Sequence, residues 1–132
     1  MTKDLLSIRD LTASEIDGLF DLAADLKAQQ RKGIAHPLLI GKTLGMIFEK
    51  PSLRTRVTFE VGMVQLGGCA IYLAPADIQL GKRETVKDVA KNLERWVDGI
   101  MARTFTHQTV EQLARHAAVP VINGLSDLTH PC

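Results

Sequence analysis

The sequence predicts an α/β domain built on a parallel sheet of four strands with helices on both faces, and three observations predict it. Four short apolar runs, at 44–48, 69–73, 99–102 and 119–122, have the length of strands and are apolar enough on both faces to be buried. Between them lie longer stretches whose apolar residues recur at helical spacing. Strand and helix thus alternate through short connections, which favours parallel pairing through right-handed crossovers. In such a sheet a ligand sits beyond the carboxyl ends of the strands, where the strand order reverses. Polar candidates follow each strand in turn: Ser52 to Thr55 after the first, Gln79 after the second, Arg103 after the third and His130 after the fourth.

The chain opens with Thr12-Ala13-Ser14-Glu15, a capping box that starts a surface helix with one buried face at Ile16, Leu19, Phe20, Ala23 and Leu26. A polar, basic stretch from Gln29 to Gly33 closes it with a C-cap glycine. Lys27, Arg31 and Lys32 read as a solvated face, and His36-Pro37 connects to the first strand. The next helix runs from Thr55 to Leu66, with Val57, Val61 and Val64 on one side and Phe59, Met63 and Leu66 on another, a two-sided apolarity that implies burial. Gly67-Gly68 ends it. The second strand, 69–73, carries Cys69 as a core thiol, and Pro75 breaks it. Residues 74–83, APADIQLGKR, are expected to form a polar loop, long enough to invite function.

A third helix is expected from Thr85 to Val97, with Val86, Val89, Ala90, Leu93, Trp96 and Val97 in one buried stripe, so that Trp96 belongs to the core. After the third strand, Thr106 caps a helix buried at Val110, Leu113, Ala114 and Ala117. His107 and His116 read as exposed helix residues. The fourth strand leads into a loop, 123–131.

Length and charge narrow the function. One domain of 132 residues can bury a real core, and 45% hydrophobic residues with a net charge of +1 describe an ordinary soluble domain with no nucleic-acid or membrane surface. No apolar run approaches the roughly 20 residues of a membrane span. Asp4 and Asp10 stand where a signal peptide would be apolar, which points to the cytoplasm. Cys69 and Cys132 form no disulfide framework, and no Cys/His spacing suggests zinc.

The junction KPSLRTRVTFE, from Lys50 to Glu60, carries the chemistry. Ser52 stands at an N-cap, so the amides of Arg54 and Thr55 open a helix whose dipole adds positive charge at the loop mouth. Arg54 adds a planar fork suited to phosphate oxygens, and the hydroxyls of Ser52 and Thr55 supply further contacts. The same Ser-x-x-Thr pattern also fits a helix cap with no ligand. Arg56, about 200 degrees around the helix from Arg54, is expected to make a structural or interdomain ion pair. Lys82, Arg83 and Lys87 read as solvated charges.

These residues, with Gly67 and Gly68 after them, resemble the carbamoyl-phosphate signature of the aspartate and ornithine carbamoyltransferase family, whose core Ser-x-Arg-Thr-Arg is here Ser52 to Arg56. Leu53 stands where many members have Thr, leaving its backbone N–H as the available contact. The resemblance covers nearly the whole chain. DIQLGKRE at Asp77 to Glu84 is similar to the ornithine version of its loop, MARTF at Met101 to Phe105 to the third-strand Arg motif, and VPVINGLSDLTHPC at Val119 to Cys132 to the His-Pro-x-Gln segment, whose Gln would follow Cys132.

The resemblance implies the strand order 2-1-3-4 and the carbamoyl-phosphate lobe of a two-domain enzyme, residues 1–132, with the ornithine-binding domain absent. It also implies a C-terminal helix of the family that packs on this lobe, so an apolar patch is expected to lie exposed. Implied catalytic residues are Arg54, Arg103 and His130. Implied carbamoyl-phosphate contacts are Ser52, Leu53, Arg54, Thr55, Gln79, Arg103, His130, Pro131 and Cys132, with Gln79 reaching a neighbouring subunit of a homotrimer. No cofactor or metal is implied, since attack of an amine on carbamoyl phosphate needs positioning and charge stabilisation only. The implied parent reaction is carbamoyl phosphate plus L-ornithine giving L-citrulline plus phosphate. Two alternatives stand beside it: an aspartate or other carbamoyltransferase, against which the DIQLG loop speaks, and a stand-alone phosphate-binding or oligomerisation module without turnover.

Overall fold

A computed structural model describes residues 3–132. Its elements, in order, are a short 3-10 turn at Ile8–Asp10, α1 (Ala13–Arg31), β1 (Thr43–Phe48), α2 (Leu53–Gln65), β2 (Cys69–Leu73), α3 (Pro75–Ile78), α4 (Val86–Leu93), β3 (Gly99–Arg103), α5 (His107–His116) and β4 (Val121–Asn123). The four strands are parallel in the order β2-β1-β3-β4, as the resemblance implies. Leu5 pairs in parallel with Ile122, so the N-terminal segment covers the outer edge of β4.

Alternation along the strands divides the core into two layers. Ile47, Ile100, Ala102 and Val121 face one side and pack against Val89 and Ala90 of α4 and Val110, Leu113 and Ala117 near α5. Leu44, Met46, Phe48 and Met101 face the other, where Phe59 and Met63 of α2 cover them. The central strands β1 and β3 are buried on both faces, which explains their unbroken apolar runs.

Local chemistry sets the helix ends. Thr12 and Glu15 form the capping box of α1, and Thr85 and Thr106 each accept an amide of the first turn of α4 and α5. Both α1 and α2 close in a paired C-terminal motif with glycine in the left-handed region. Gly67, at φ +82, donates to Val64 O at 3.0 Å, and Gly68 donates to Met63 O at 2.8 Å. A Cβ at Gly68 would stand 2.8 Å from Lys42 O, so the turn into β2 admits no side chain there.

Several expectations from the sequence are corrected. No residue of α1 is buried, and Leu19, Phe20 and Leu22 are exposed. Val57, Val61 and Val64 of α2 are also exposed, so only its Phe59/Met63 side packs. An apolar stripe reports which face favours burial, and the described residues place nothing against these two. Trp96 is 70% exposed and not in the core. The helix ends at Leu93, and the Arg95 and Trp96 amides donate to Asn92 O and Leu93 O three residues back, a tighter winding that turns the indole outward.

Cys69 is exposed on β2, the edge strand of the sheet, and Ile71 on the same face is 48% exposed. Residues 74–83 are not all loop: Pro75 starts the one-turn helix α3, and Leu80 bridges to Glu84. His107 and His116 are half-buried and not exposed. No described helix is long and apolar enough to cross a membrane.

Two carboxylates tie connections to the sheet. Lys42, 2.8 Å from Asp98 Oδ1, and then the Thr43 N–H, 2.9 Å from Oδ2, hold the Asp98 carboxyl below its usual range. The Ala118 N–H, 2.6 Å from Glu94 Oε2, and then Lys91 do the same for Glu94. A depressed folded pKa means that the unfolded chain binds more protons between the folded and unfolded values, so this stabilisation is complete above the unfolded pKa and disappears as pH falls through the folded one. Melting temperature followed by circular dichroism is therefore expected to drop on acidification below the ordinary carboxylate range of about 4. In the Asp98→Asn, Glu94→Gln double variant the drop is expected to be shallower.

Candidate anion site

The site grows from the end of β1. Phe48 is the last strand residue, and the chain then turns through Glu49 to Ser52. Ser52 takes extended backbone geometry as the N-cap of α2, and its Oγ accepts the Thr55 N–H at 3.4 Å. That bond corrects one expectation, since the Thr55 amide is committed to the cap. The amides left without an intrahelical acceptor in the first turn are those of Leu53 and Arg54. Ser52 Oγ also donates to Thr55 Oγ1 at 3.1 Å.

β3 delivers Arg103 beside this turn. Register sets it opposite Phe48, and its Nη1 lies 3.4 Å from Thr55 Oγ1 and 3.4 Å from Gly124 O. Both bonds are long and engage the same nitrogen. Arg103 Nε is buried and has no hydrogen-bond partner. A buried guanidinium N–H without an acceptor is costly, which leaves this N–H open to an acceptor from outside the chain. Glu49 fixes the turn after Arg103: its carboxylate accepts the Phe105 N–H at 2.8 Å, and its own N–H donates to Arg103 O at 2.9 Å.

Ser52, Arg54, Thr55, Arg103, His130 and Cys132 line one cavity of about 490 Å³ at the carboxyl edge of the sheet, between β1 and β3, where the strand order reverses. Three separated stretches of sequence therefore converge there. Thr58, Phe59 and Leu125 complete the wall. None of these three is a candidate from the motifs, although spacing carries a signal for two of them: Thr58 is four residues after Arg54 and Phe59 four after Thr55, on the same helix faces. Cys132 turns its sulfur inward to donate to Asn123 O at 3.0 Å, and burial there pushes the thiol pKa up.

Three candidates stand apart. Leu53 is 80% exposed and does not line the cavity. Pro131 is half-buried and does not line the cavity. Gln79 caps α3 in a left-handed conformation, φ 46 and ψ 52, and lines a different cavity of about 440 Å³ with Glu49, Lys82 and Phe105. Arg56 points away as expected, paired with Glu60 at 3.3 Å and stacked 3.8 Å from the Tyr72 ring centre. Among the described residues no cluster of His, Cys, Asp or Glu is arranged to hold a metal ion.

The fold and the cavity define a class, a parallel α/β domain that gathers a helix N-terminus and two arginines around one small cavity at its topological switch point. The chain belongs to the aspartate/ornithine carbamoyltransferase family, matching its carbamoyl-P binding domain over residues 3–132. An ornithine carbamoyltransferase of Syntrophotalea carbinolica is 54% identical over all 132 residues, which cover 44% of that relative. The solved ornithine carbamoyltransferase of Pyrococcus furiosus superposes with a TM-score of 0.97 at 55% identity, over 98% of this chain and 42% of its own. A solved N-acetyl-L-ornithine transcarbamylase variant aligns at 31% identity with a TM-score of 0.87, over 99% of this chain and 45% of its own. The chain thus spans about two fifths of the length of the curated relatives it matches.

Proposed function

We propose that this chain is the carbamoyl-phosphate lobe of an ornithine carbamoyltransferase, whose reaction is carbamoyl phosphate plus L-ornithine giving L-citrulline plus phosphate. The observation that carries the reading is the convergence of Arg54, Arg103 and His130 on one cavity, with the Arg103 Nε buried and unpaired. Ser52, Arg54, Thr55 and the amide of Leu53 hold the phosphate, whose charge grows as it leaves. Arg103 reaches both this phosphate and the carbonyl oxygen, which His130 and the Thr55 hydroxyl also face and where negative charge builds as the neutral δ-amine attacks the carbamoyl carbon. No covalent intermediate, metal or organic cofactor is needed, because the lobe supplies orientation and charge.

Ornithine is favoured as the amine because the curated relatives of more than half identity are named for it, whereas the N-acetylornithine enzyme stands at 31%. The DIQLG loop of Asp77 to Gly81 supports the same choice over aspartate. Gln79 serves a site outside its own cavity, in a neighbouring subunit of a homotrimer, which accounts for its distance from Arg54. The likeness to ornithine carbamoyltransferases supports a role in arginine metabolism, Asp4 and Asp10 near the start support the cytoplasm, and the near-balanced charge of +1 gives no reason to expect a nucleic-acid or membrane partner.

Calorimetric titration of carbamoyl phosphate into the 132-residue chain is expected to show binding. Arg54→Ala is expected to weaken it about 10- to 100-fold, the range for losing one charged hydrogen-bonding group. Neither protein is expected to form citrulline when ornithine is added, since the chain spans only about two fifths of the length of the relatives named for this reaction. Absence of binding overturns the site assignment, and citrulline formation by this chain alone overturns the need for a second lobe.

A further inference from the structure

The segment that carries His130 to the cavity is held by a side chain that does not line it. Asn123 ends β4 and is fully buried. Its Nδ2 donates to Leu6 O at 3.0 Å, Thr129 Oγ1 at 3.0 Å and Ser126 Oγ at 3.2 Å, while its Oδ1 accepts the Leu125 N–H at 3.0 Å. Both ends of one carboxamide are thus committed, and carbonyl and amide partners fix which end is which. An aspartate of the same shape would set a carboxylate oxygen against the Leu6 carbonyl.

The arch so held is strained. Leu125 adopts φ +128, a region that L side chains with a Cβ rarely enter and that persists only where the surroundings over-determine it. Ser126 N–H donates to Thr129 O at 3.0 Å, closing the arch, and Thr104 N–H donates to Leu125 O at 3.0 Å, docking it against the turn after Arg103. What it presents belongs to the cavity: Gly124 O meets Arg103 Nη1, Leu125 forms wall, and His130 follows Thr129 directly. Leu6, through Nδ2 of Asn123 and the Thr129 hydroxyl at 3.0 Å, ties the arch to the N-terminal segment on the sheet edge.

We infer that Asn123 is a positioning residue of the anion cavity, its buried carboxamide clamping the Gly124–Thr129 arch so that Gly124 O orients the Arg103 guanidinium and His130 stands at the rim. This rests on the reading of the cavity as an anion site, and its test separates the two. Asn123→Asp, Thr129→Val and Thr129→Ser are compared with the parent chain by calorimetry with inorganic phosphate and by hydrogen exchange of the Ser126 and Thr104 amides. The first two variants are expected to bind phosphate about 5- to 10-fold more weakly, the scale of one buried hydrogen bond, and to exchange the Ser126 amide about tenfold faster. Thr129→Ser, which keeps the hydroxyl, is expected to restore both, a rescue that a loss of packing alone does not give. Should Asn123→Asp fail to fold, the Thr129 pair decides. Folded Thr129→Val with phosphate affinity and Ser126 exchange both within about twofold of the parent overturns the inference. A parent chain that binds no phosphate overturns the anion-site reading instead, and the clamp then stands or falls on the exchange rates alone.

Discussion

Arg103→Met is expected to abolish most of the phosphate affinity of the cavity while leaving the fold as stable as before. The two effects separate because of how Arg103 is held. Its protein contacts are two bonds of 3.4 Å from a single nitrogen, and its buried Nε has none. Charge-assisted hydrogen bonds are worth about 1.5 to 3 kcal/mol each. An anion engaging two guanidinium N–H groups would therefore lose roughly two to four orders of magnitude in affinity when they are removed. Folding stability follows the opposite logic. A half-buried charge whose partners are long and incomplete costs desolvation that its contacts do not fully return, and an apolar residue of similar length removes that cost. Urea denaturation of Arg103→Met is expected to fall within about 1 kcal/mol of the parent or above it, with phosphate binding lost in the same sample. A variant that lost both together would instead make Arg103 a structural residue.

The separation also shows what the sequence discloses and what it withholds. Ser52 as N-cap, Thr106 as cap and Cys69–Leu73 as a strand are legible because each depends on a few neighbouring residues: a hydroxyl before an apolar helix, or an apolar run between a glycine pair and a proline. That Arg54 and Arg103 share one cavity is a statement about strand order, and it became legible only through the family resemblance. The failures have one cause. Apolar pattern points Trp96, Val57, Val61, Val64 and Cys69 to the core, yet pattern ranks the faces of an element without supplying the surface that meets them. Asn123 failed in the other direction. Asn-Gly followed by Ser-x-x-Thr reads as turn chemistry, and only the burial of its carboxamide distinguishes a clamp from an ordinary loop cap.

Phe48→Ala is expected to cost about 3 to 5 kcal/mol, the range for removing a buried aromatic ring from a core. In a domain whose whole stability is of order 5 to 15 kcal/mol, that leaves it near its unfolding threshold. Phe48 is 1% exposed, and its ring lies 5.1 Å from that of Tyr72 in a tilted pair. It packs in the layer with Leu44, Met46 and Met101, which α2 covers from outside. The cavity it would leave cannot collapse easily, because β1 is central and its neighbours β2 and β3 hold it on both sides. Phe48 also immediately precedes the turn to Ser52, so the loss should spread to the N-terminus of α2. Trp96→Ala, at 70% exposure, removes a larger ring yet is expected to change stability by less than about 0.5 kcal/mol. Thermal and urea unfolding of the two variants side by side measures the contrast. Equal losses would mean that the indole packs where the structure leaves it in solvent.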